Sequence, residues 1–481
     1  MVERMLKFVA LEQETPAKRA AAERRQDFQE IYRDYIVRKA SDQASRCSQC
    51  GVPFCQTHCP LQNNIPDWLK LTAEGRLQEA YEVSSATNPM PEICGRICPQ
   101  DRLCEGNCVI EQSGHGAVTI GAVERYITET AWDNGWISPI APPRERHETV
   151  GVIGAGPAGL AAAEDLRRKG YQVTIYDRYD RAGGLLIYGI PNFKLEKPVV
   201  ERRTNRLAQS GVTFVLNVEV GRDVTLAELR RRHDAVLIAT GVYAARPLEC
   251  PGAGAPGVIP ALDYLITANR RGLGDEVAGF DKGPLDARGR HIVVVGGGDT
   301  AMDCVRTAVR QGAKSVTCLY RRNRDNMPGS LREVANAEEE GVRFEWLAAP
   351  KAILSSASKV KGVRAARMRL GLPDGSGRQA PEEIPGADFD LKADLVIKAL
   401  GYDPHDLPAA FGEPELRTSN RGVLRIDRRS MMTSLEGVFA AGDIVRGASL
   451  VVWAIRDGRD AAAAMHAYLT AKTSAARVAA E

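Results

Sequence analysis

The spacing of hydrophobic and polar positions changes along the chain, and the change divides it into regions. Segments 19–40 and 66–86 place apolar residues at helical intervals, with polar faces between them. No convincing alternating strand occurs before about residue 145. The pattern therefore predicts that the first 145 residues consist of helices and loops.

A proline-rich linker at 138–146 precedes a different pattern. Residues 148–177 read as an apolar strand, a glycine turn, a helix and a second strand, and a similar unit recurs at 290–322. Two such units in one chain are typical of two doubly wound domains. The predicted fold class is α/β, with two Rossmann-like dinucleotide-binding domains preceded by a mainly helical domain.

The domain limits follow from these changes of pattern. We expect a helical domain at 1–145, a first dinucleotide-binding domain made of 146–248 and 403–481, and a second at 249–402. The last residues, 469–481, read as a polar, alanine-rich tail with no visible chemistry.

The composition is that of a soluble globular protein, because 44% of the 481 residues are hydrophobic and 26% are charged. The net charge of +3 is too small to indicate a nucleic-acid or membrane-surface partner. No apolar run reaches the ~18 residues of a transmembrane helix, and the amino terminus lacks the features of a signal peptide. We therefore expect a cytoplasmic protein without nucleic-acid or membrane partners.

The cysteines are concentrated in two runs. The first contains Cys47, Cys50, Cys55 and Cys59, and the second contains Cys94, Cys98, Cys104 and Cys108. In a reducing cytosol such runs indicate metal ligation rather than disulfides. Converging thiolates from glycine- and proline-bearing loops favour iron–sulfur clusters, whereas structural zinc favours two short-spaced pairs separated by a longer stretch. The spacing alone does not say which cysteines share a cluster.

The first glycine turn has the spacing of a dinucleotide-binding fingerprint. Gly154 allows the turn, Gly156 lets the backbone approach a pyrophosphate, and Gly159 lets the helix pack on the strand. The phosphates are expected at the helix N-terminus, where free N–H groups favour negative charge. Asp177 ends the next strand and is placed to hold ribose hydroxyls.

Three further segments indicate that this first site holds a flavin. Segment 181–195 contains the pair Gly183–Gly184, segment 234–241 is a buried strand with a small turn, and segment 437–444 carries Asp443 for the ribityl chain. All three resemble FAD-domain motifs of flavoproteins with two dinucleotide-binding domains. A helix beginning near residue 449 can point its positive end at the flavin. We expect Pro191 and Lys194 beside the flavin ring.

The second glycine turn is predicted to bind NADPH. Gly296 and Gly298 precede Asp299 and Thr300, and the last motif glycine is replaced by alanine, which the fingerprint permits. Tyr320 stands where Asp177 stands in the first unit, and Arg321 and Arg322 follow it. Two guanidinium groups without an acid suit a 2′-phosphate. An exposed basic turn without a ligand is the alternative interpretation.

The candidate cofactor-binding residues are Gly154, Gly156, Pro157, Ala158, Gly159, Asp177, Arg178, Gly183, Gly184, Leu185, Ile190, Pro191, Lys194, Ala239, Thr240, Gly241, Gly296, Gly298, Asp299, Thr300, Arg321, Arg322, Gly401, Gly442, Asp443 and Val451. Cofactors carry the chemistry of hydride and electron transfer, so no catalytic acid or base is assigned.

From Cys47 to Asp443 the chain resembles the small (beta) subunits of NADPH-dependent glutamate synthases. The resemblance rests on the two four-cysteine runs and on GAGPAGL, YGIPNFKL, GGGDTAMDC, the YRR turn and GVFAAGDI. The chain is also similar to the amino-terminal part of dihydropyrimidine dehydrogenase. The resemblance implies one FAD, two [4Fe–4S] clusters, NADPH, and a large (alpha) partner subunit with glutaminase and FMN domains.

The same resemblance implies an interleaved set of cluster ligands. One cluster would be held by Cys47, Cys50, Cys55 and Cys108. The other would be held by Cys59, Cys98, Cys104 and Glu124. Cys94 is then a spare thiol or a competitor of Glu124 for the second cluster.

The expected function is electron input to glutamate synthase. The chain would oxidise NADPH, reduce FAD and pass electrons through the clusters to a large subunit, which makes glutamate from glutamine and 2-oxoglutarate. One alternative is the same module feeding ferredoxin, sulfur species or a pyrimidine-reducing domain. Others are a self-contained flavin reductase with a zinc-stapled cysteine domain, and a binding module with relic nucleotide folds.

Overall fold

The computed structural model describes residues 5–278, 280, 283–356, 359–375 and 377–480. Its amino-terminal part is built from helices and loops. After a short 3-10 helix at Lys7–Val9, the helices are α1 (Ala21–Arg24), α2 (Val37–Ser45), α3 (Phe54–Thr57), α4 (Ile65–Ala73), α5 (Leu77–Thr87), α6 (Pro91–Ile97), α7 (Val109–Gln112) and α8 (Ile120–Asp133).

The helix predicted over 19–40 is wrong for most of its length. Only its two ends are helical. Tyr32, which lies between these ends, forms an antiparallel bridge with Lys18, just before the segment. The buried Arg24 forms an ion pair of 3.0 Å with Glu340, more than 300 residues away. A tertiary contact therefore overrides the local periodicity. The segment 66–86 is two helices rather than one, because Gly75 adopts a φ of 76° between them.

The first α/β region alternates strands and helices. Its elements are β1 (Thr149–Ile153), α9 (Pro157–Arg168), β2 (Gln172–Asp177), α10 (Leu185–Tyr188), α11 (Lys197–Gln209), β3 (Thr213–Leu216), α12 (Leu226–Arg232), β4 (Ala235–Ile238) and β5 (Ala244–Ala245).

The second α/β region follows. Its elements are β6 (Val258–Pro260), α13 (Ala261–Gly272), β7 (His291–Val295), α14 (Asp299–Arg310), β8 (Ser315–Tyr320), α15 (Leu331–Glu339), β9 (Arg343–Trp346), β10 (Ala348–Ser356), β11 (Lys359–Pro373), β12 (Gln379–Lys392), β13 (Leu395–Lys398) and β14 (Tyr402–Asp403). The chain ends with α16 (Leu407–Phe411), β15 (Val438–Ala440), α17 (Asp443–Arg446) and α18 (Val451–Ala480).

Two five-stranded parallel sheets form the centres of the two regions. The strand orders are β15-β4-β1-β2-β3 and β6-β13-β7-β8-β9, so in each sheet the strand before the glycine turn is central. Strands β1 and β7 are apolar and buried almost throughout, as expected for strands covered on both faces. The strands β10, β11 and β12 form a separate antiparallel sheet.

The polypeptide crosses between the two regions at one place. Strands β5 and β14 pair antiparallel there, Ala245 with Tyr402 and Ala244 with Asp403. The segment after β14 then returns to the first region, where β15 adds to the edge of its sheet. The first α/β region is thus built from two separate stretches of sequence.

The terminal helix α18 fixes this return. It packs along α9, and a Cβ at Gly458 would lie 2.2 Å from the carbonyl oxygen of Ala158. Only glycine allows the two backbones to approach so closely. The expected alanine-rich tail is thus part of a long helix that packs beside the first glycine turn. No helix among the described residues is long and apolar enough to cross a membrane.

Candidate functional site

The first glycine turn leaves an open, electropositive helix end at the carboxyl edge of the sheet. Gly154 has a φ of 110°, and a Cβ there would lie 2.4 Å from the carbonyl oxygen of Ala239. Gly156 precedes α9, has no side-chain cap and faces open space. The first N–H groups of α9 are therefore accessible to a phosphate, as the sequence predicts.

Three more predicted glycines close around this turn. A Cβ at Gly184 would lie 2.9 Å from the Cα of Gly156, and the Gly183 N–H donates to the carbonyl of Ala155 at 2.9 Å. Gly442 has a φ of 78°, and a Cβ there would lie 2.9 Å from the Cβ of Ala158. The close approaches that the sequence predicts are present, and they shape a cradle that side chains would fill.

The Asp177 carboxylate is part of the turn. It accepts the N–H groups of Ala155 at 2.7 Å and Tyr179 at 2.9 Å, and burial raises its pKa above the ordinary value. Both oxygens keep further acceptor capacity for ribose hydroxyls. Asp443, also with a pKa raised by burial, accepts a hydrogen bond from the Ser449 hydroxyl at 2.8 Å.

A cavity of about 360 Å³ opens beside Asp177, and several predicted residues line it together. Gly154, Arg178, Thr240 and Gly241 are among its walls. The Thr240 hydroxyl is buried without a hydrogen-bond partner, which leaves a polar atom for a ligand to satisfy. The accessible helix end, the close glycine approaches and this unpartnered hydroxyl fit the dinucleotide part of FAD.

Two aromatic or imidazole side chains of this cavity were missed by the sequence reasoning. Tyr243 and His405 lie in its wall, and the Arg178 guanidinium stacks over the Tyr243 ring at 4.5 Å. Tyr243 follows the predicted turn by only two residues. No glycine or acid marks these two positions in the sequence, so the pattern gave no signal for them.

The predicted flavin-side lysine lies at the boundary between the two α/β regions. Lys194 Nζ is 2.8 Å from Asp303 Oδ1 on α14 and 3.7 Å from Glu333 Oε2 on α15. Burial alone would lower the pKa of this lysine, but the two carboxylates hold it above its ordinary value. A fixed positive charge is therefore held between the two predicted cofactor sites.

Lys197, three residues farther on, was not predicted as part of the site. Its ammonium group donates to the carbonyls of Leu186 at 3.1 Å and of Ile190, and the side chain is buried. Burial lowers its pKa to about 7. The lysine thus holds the loop that carries the predicted residues Leu185, Ile190 and Pro191.

The second glycine turn repeats the geometry of the first. Gly296 has a φ of 147°, and a Cβ there would lie 2.2 Å from the carbonyl oxygen of Ala399. Gly298 precedes α14 without a side-chain cap and faces open space. Asp299 and Thr300 begin the helix, so a second phosphate-binding end is present where the sequence predicts it.

The end of strand β8 is basic. The Tyr320 ring covers Gly297, where a Cβ would meet it at 2.4 Å. Burial raises the pKa of Tyr320, whereas Arg322, Arg321 and Arg378 act in the opposite direction. Arg321 is exposed, and Arg322 is half-buried with an unpartnered Nε. Arg378, from the loop between β11 and β12, is a third cation that the sequence reasoning missed.

Gly401 was predicted to bind a cofactor, and the structure places it at the crossing between the two regions. It has a φ of 97°, and its carbonyl accepts the N–H of Arg246 at 3.1 Å. The predicted Val451 begins helix α18, so the end of this helix faces the first glycine turn.

The structure brings the cysteines into two groups that cross the two runs. We call Cys47, Cys50, Cys55 and Cys108 the first cysteine group. Burial is the main reason that the pKa of Cys55 rises to about 12, and Cys47, Cys108 and Cys50 raise it further. Burial also raises the pKa of Cys47, and Cys108 and Cys50 add to this rise. Cys47 and Cys108 also share one buried core against which Cys55 packs, so Cys108, from the second run, lies among cysteines of the first.

The second cysteine group consists of Cys59, Cys94, Cys98 and Cys104. Cys94 and Cys98 lie in the same buried core, Cys98 is the main reason that the pKa of Cys94 is raised, and Cys59 and Cys104 both raise the pKa of Cys98. Glu124 faces the same group and raises the pKa of all four thiols. Cys94 and Glu124 are thus both available beside the three cysteines that the resemblance assigns to a second cluster.

Glu124 is held in place by amides. Its Oε1 accepts from Asn63 Nδ2 at 3.2 Å and Asn88 Nδ2 at 3.1 Å, and burial raises its pKa to about 8. Among the described residues, no three His, Cys, Asp or Glu side chains converge closely enough to bind a single metal ion. A [4Fe–4S] cluster takes one ligand at each of four irons, and each cysteine group offers four thiols.

The two cysteine groups have different surroundings. Cys94 and Cys98 belong to the core that also contains Leu186 and Val452, beside the first glycine turn. Arg456 of α18 also donates to the carbonyl of Pro60 at 2.6 Å. Cys47 and Cys108 of the first group lie in a separate core of the helical region, against which Cys55, Cys59 and Cys104 also pack. Two thiols of the first group, Cys50 and Cys55, are partly exposed.

Comparison with known proteins identifies the two parts of the chain. Residues 24–136 match a family described as dihydropyrimidine dehydrogenase domain II, 4Fe-4S cluster, and residues 148–458 match the pyridine nucleotide-disulphide oxidoreductase family. The predicted fold class is confirmed. FprA from Mycobacterium tuberculosis, solved in complex with NADPH, shares this fold with a TM-score of 0.57 at 22% identity, over 69% of this chain and 86% of its own.

Full-length relatives are also present. A glutamate synthase [NADPH] small chain from Azospirillum brasilense is 66% identical over 473 residues, which cover 98% of both chains. A protein of the same name from Escherichia coli is 45% identical over 96% of this chain and 98% of its own.

Proposed function

The chain belongs to the family of glutamate synthase [NADPH] small chains, and from this premise we propose that it is the electron-input subunit of a glutamate synthase. It is an NADPH oxidoreductase with a 4Fe–4S domain and a FAD-type domain. The finer proposal is a defined route for electrons through one FAD and two clusters. One observation carries it: the cysteines form two groups, and only the second shares its core with the residues around the first glycine turn.

We assign FAD to the domain made of 146–248 and 403–481, and NADPH to the domain at 249–402. The helix end at Gly156 and the cavity beside Asp177 support the first assignment. The helix end at Gly298 and the basic end of β8 support the second. The two [4Fe–4S] clusters are assigned to 1–145.

Lys194 is proposed to orient the reacting parts of the two cofactors. It projects from the first α/β region and is paired with Asp303 and Glu333 of the second. An ammonium group held in this way offers a fixed hydrogen-bond donor and charge at the boundary. Bound FAD supplies the conversion from two-electron to one-electron chemistry.

The second cysteine group is proposed to receive electrons first, and the first group to deliver them to the partner. Large apolar side chains are exposed around the first group: Val52 and Phe54 lie between Cys50 and Cys55, and Val109 follows Cys108. Exposed apolar side chains around a redox centre are typical of an interaction surface. We assign this surface to the large subunit with its glutaminase and FMN domains.

Reconstitution tests the proposal. Anaerobically purified protein should carry FAD and two clusters, and NADPH should support glutamate formation from glutamine and 2-oxoglutarate once a large subunit is added. The matched control omits only the large subunit. Copurification with a ferredoxin-like protein, without glutamate synthesis in the reconstituted mixture, would contradict the proposal and favour another acceptor.

A further inference from the structure

The loop between two cysteines of the second group reaches across to the nucleotide turn of the second α/β region. This cysteine loop, residues 98–104, contains Gln100, Asp101 and Arg102. Its partner is loop 327–331, which leads into α15. None of these contacts belongs to the motifs of either region, and the residues involved are more than 220 positions apart in the sequence.

Arg102 binds the carbonyl side of loop 327–331. Its guanidinium donates to three consecutive carbonyls: that of Met327 at 3.0 Å, that of Gly329 at 2.6 Å, and that of Pro328. Three carbonyls held by one planar group leave the loop little freedom to rotate its peptides. The N–H groups of the same loop are thereby directed to its other side.

That other side lies on the second glycine turn. The Gly329 N–H donates to the carbonyl of Gly297 at 2.9 Å, and the Ser330 N–H donates to Asp299 Oδ1 at 2.9 Å. A Cβ at Gly329 would be 3.2 Å from the same carbonyl. Loop 327–331 is therefore a wall of the turn on which the phosphates of the nucleotide are proposed to lie.

Asp101 contacts the same loop at the start of α15, and we call Asp101 and Arg102 together the clamp. Its carboxylate accepts the Leu331 N–H at 3.2 Å and lies 3.4 Å from the Ser330 hydroxyl, so it caps a helix of the other region. The structure shows no cap for α15 from the Ser330 side chain itself. This helix also carries Glu333, one of the two carboxylates beside Lys194.

The cysteine loop is itself tied to the second cysteine group. Gln100 Nε2 donates to the carbonyl of Cys94 at 2.9 Å, and its N–H donates to the carbonyl of Cys98 at 2.9 Å. A Cβ at Gly106 would lie 1.9 Å from the carbonyl oxygen of Asp101, so the chain packs against the loop too closely for any residue but glycine. The position of the clamp thus depends on the packing of this group.

We propose that Asp101 and Arg102 are positioning residues for NADPH, through which the iron–sulfur region completes the nucleotide site of the other region. This rests on the proposed NADPH site at the second glycine turn. Binding linkage is reciprocal, so a nucleotide on the turn also acts on the environment of the second cysteine group. The link is built into the contacts and requires no large movement.

Equilibrium binding of NADP⁺ to the holoprotein tests this proposal. In Arg102→Ala, three backbone carbonyls lose their shared donor, and we expect the Kd for NADP⁺ and the KM for NADPH to rise about three- to tenfold. The kcat with ferricyanide at saturating NADPH should stay within about twofold, because the clamp touches no reacting group. The Kd and KM of Arg102→Lys should lie between those of the unaltered protein and of Arg102→Ala, since an ammonium group cannot span three carbonyls.

The matched control is Arg76→Ala. Arg76 is an exposed arginine of the same helical region, and its guanidinium donates to Glu74 and Glu79. It should leave the Kd for NADP⁺ unchanged. Iron and FAD contents are measured for every variant. NADP⁺ should also alter the electron paramagnetic resonance signal of the reduced clusters in the unaltered protein, and alter it less in Arg102→Ala.

A Kd for NADP⁺ unchanged in Arg102→Ala, with full iron content, overturns this inference while leaving the proposed function intact. If Arg102→Ala loses iron, Asp101→Asn and Ser330→Ala make the same comparison from either side of the clamp. An unchanged Kd in both would overturn the inference equally. Failure of the unaltered protein to bind NADP⁺ would instead contradict the proposed nucleotide site itself.

Discussion

Replacing Arg322 by alanine should remove most of the preference for NADPH over NADH. Arg322 follows strand β8, whose last residue, Tyr320, stands where the first α/β region carries Asp177. The Arg322 Nε has no hydrogen-bond partner among the residues that the structure describes. A 2′-phosphate at this position would accept a charge-assisted hydrogen bond from the guanidinium. Nothing in NADH would replace that contact.

The size of the effect follows from the burial of the two arginines. A hydrogen bond to a charged group contributes about 1.5–3 kcal/mol, and 1.4 kcal/mol is a factor of ten. The half-buried Arg322 should therefore account for roughly 10- to 150-fold in kcat/KM for NADPH. Arg321 is exposed, so solvent screening reduces its share to about 0.2–1 kcal/mol, or at most roughly fivefold.

The assay compares initial rates with NADPH and NADH, using ferricyanide as acceptor at one ionic strength. The variants are Arg321→Ala, Arg322→Ala and the double substitution, and the kcat/KM for NADH should hardly change in any of them. Arg324→Ala is the matched control, because Arg324 lies in the same turn but pairs with Glu338. Raising the salt concentration should reduce the contribution of Arg321 to the NADPH preference more than it reduces the contribution of Arg322.

Two results would refute this reasoning. Equal use of NADH and NADPH by the unaltered protein would show that the basic end of β8 recognises no phosphate. A double variant that keeps the full preference would return Arg321 and Arg322 to the solvated surface. Arg378, which also faces Tyr320, would then be the remaining candidate.

Three further predictions concern the whole subunit, its clusters and one buried lysine. The purified chain alone should oxidise NADPH with artificial acceptors but make no glutamate from glutamine; synthesis without a large subunit would contradict its assignment as an input subunit. Cys47→Ser and Cys108→Ser should remove the same cluster signal, and Cys94→Ser should reduce the signal of the other cluster less than Cys98→Ser does. If Cys94 proved indispensable and Glu124 dispensable, Cys94 would replace Glu124 as the fourth ligand of that cluster. The folded-state pKa of Lys197 is lowered to about 7, so the unfolded state binds more protons above that pH and stability should rise with pH there. The increase in Tm from pH 7 to pH 9 should be smaller in Lys197→Met, and an equal increase would show that Lys197 titrates normally in the folded protein.

The α/β regions could be predicted from sequence because their signals are local. Each combines an apolar strand, a glycine turn and a helix within about thirty residues, and the structure has these elements at both places. Glycine positions such as Gly154 and Gly296 were predictable because each needs a positive φ and a close backbone approach. The positive φ is a requirement of the turn itself, whereas the close approaches are to Ala239 and Ala399, which directly follow the strands beside β1 and β7.

The helical region was predicted less well, because distant contacts decide its conformation. Arg24 lies within a stretch of helical periodicity, but it is buried against Glu340 and ends a helix of only four residues, Ala21–Arg24. The grouping of Cys108 with the first three cysteines is equally invisible to spacing. It depends on how α2, α4 and α8 pack.

Asp101 and Arg102 illustrate the same limit at a functional level. In the sequence they are ordinary charged residues between two cysteines, without a motif. Their roles arise only when loop 327–331, with its own unremarkable sequence, is placed against them by the packing of the two regions. That loop contacts the glycine turn through Gly329 and Ser330, so a motif predicted from local sequence is completed by residues that no local pattern marks. An isolated nucleotide-binding region would keep this loop but lack the Asp101 and Arg102 side chains that hold it. For this reason the holoprotein, rather than a fragment, is the form in which its nucleotide affinity should be measured.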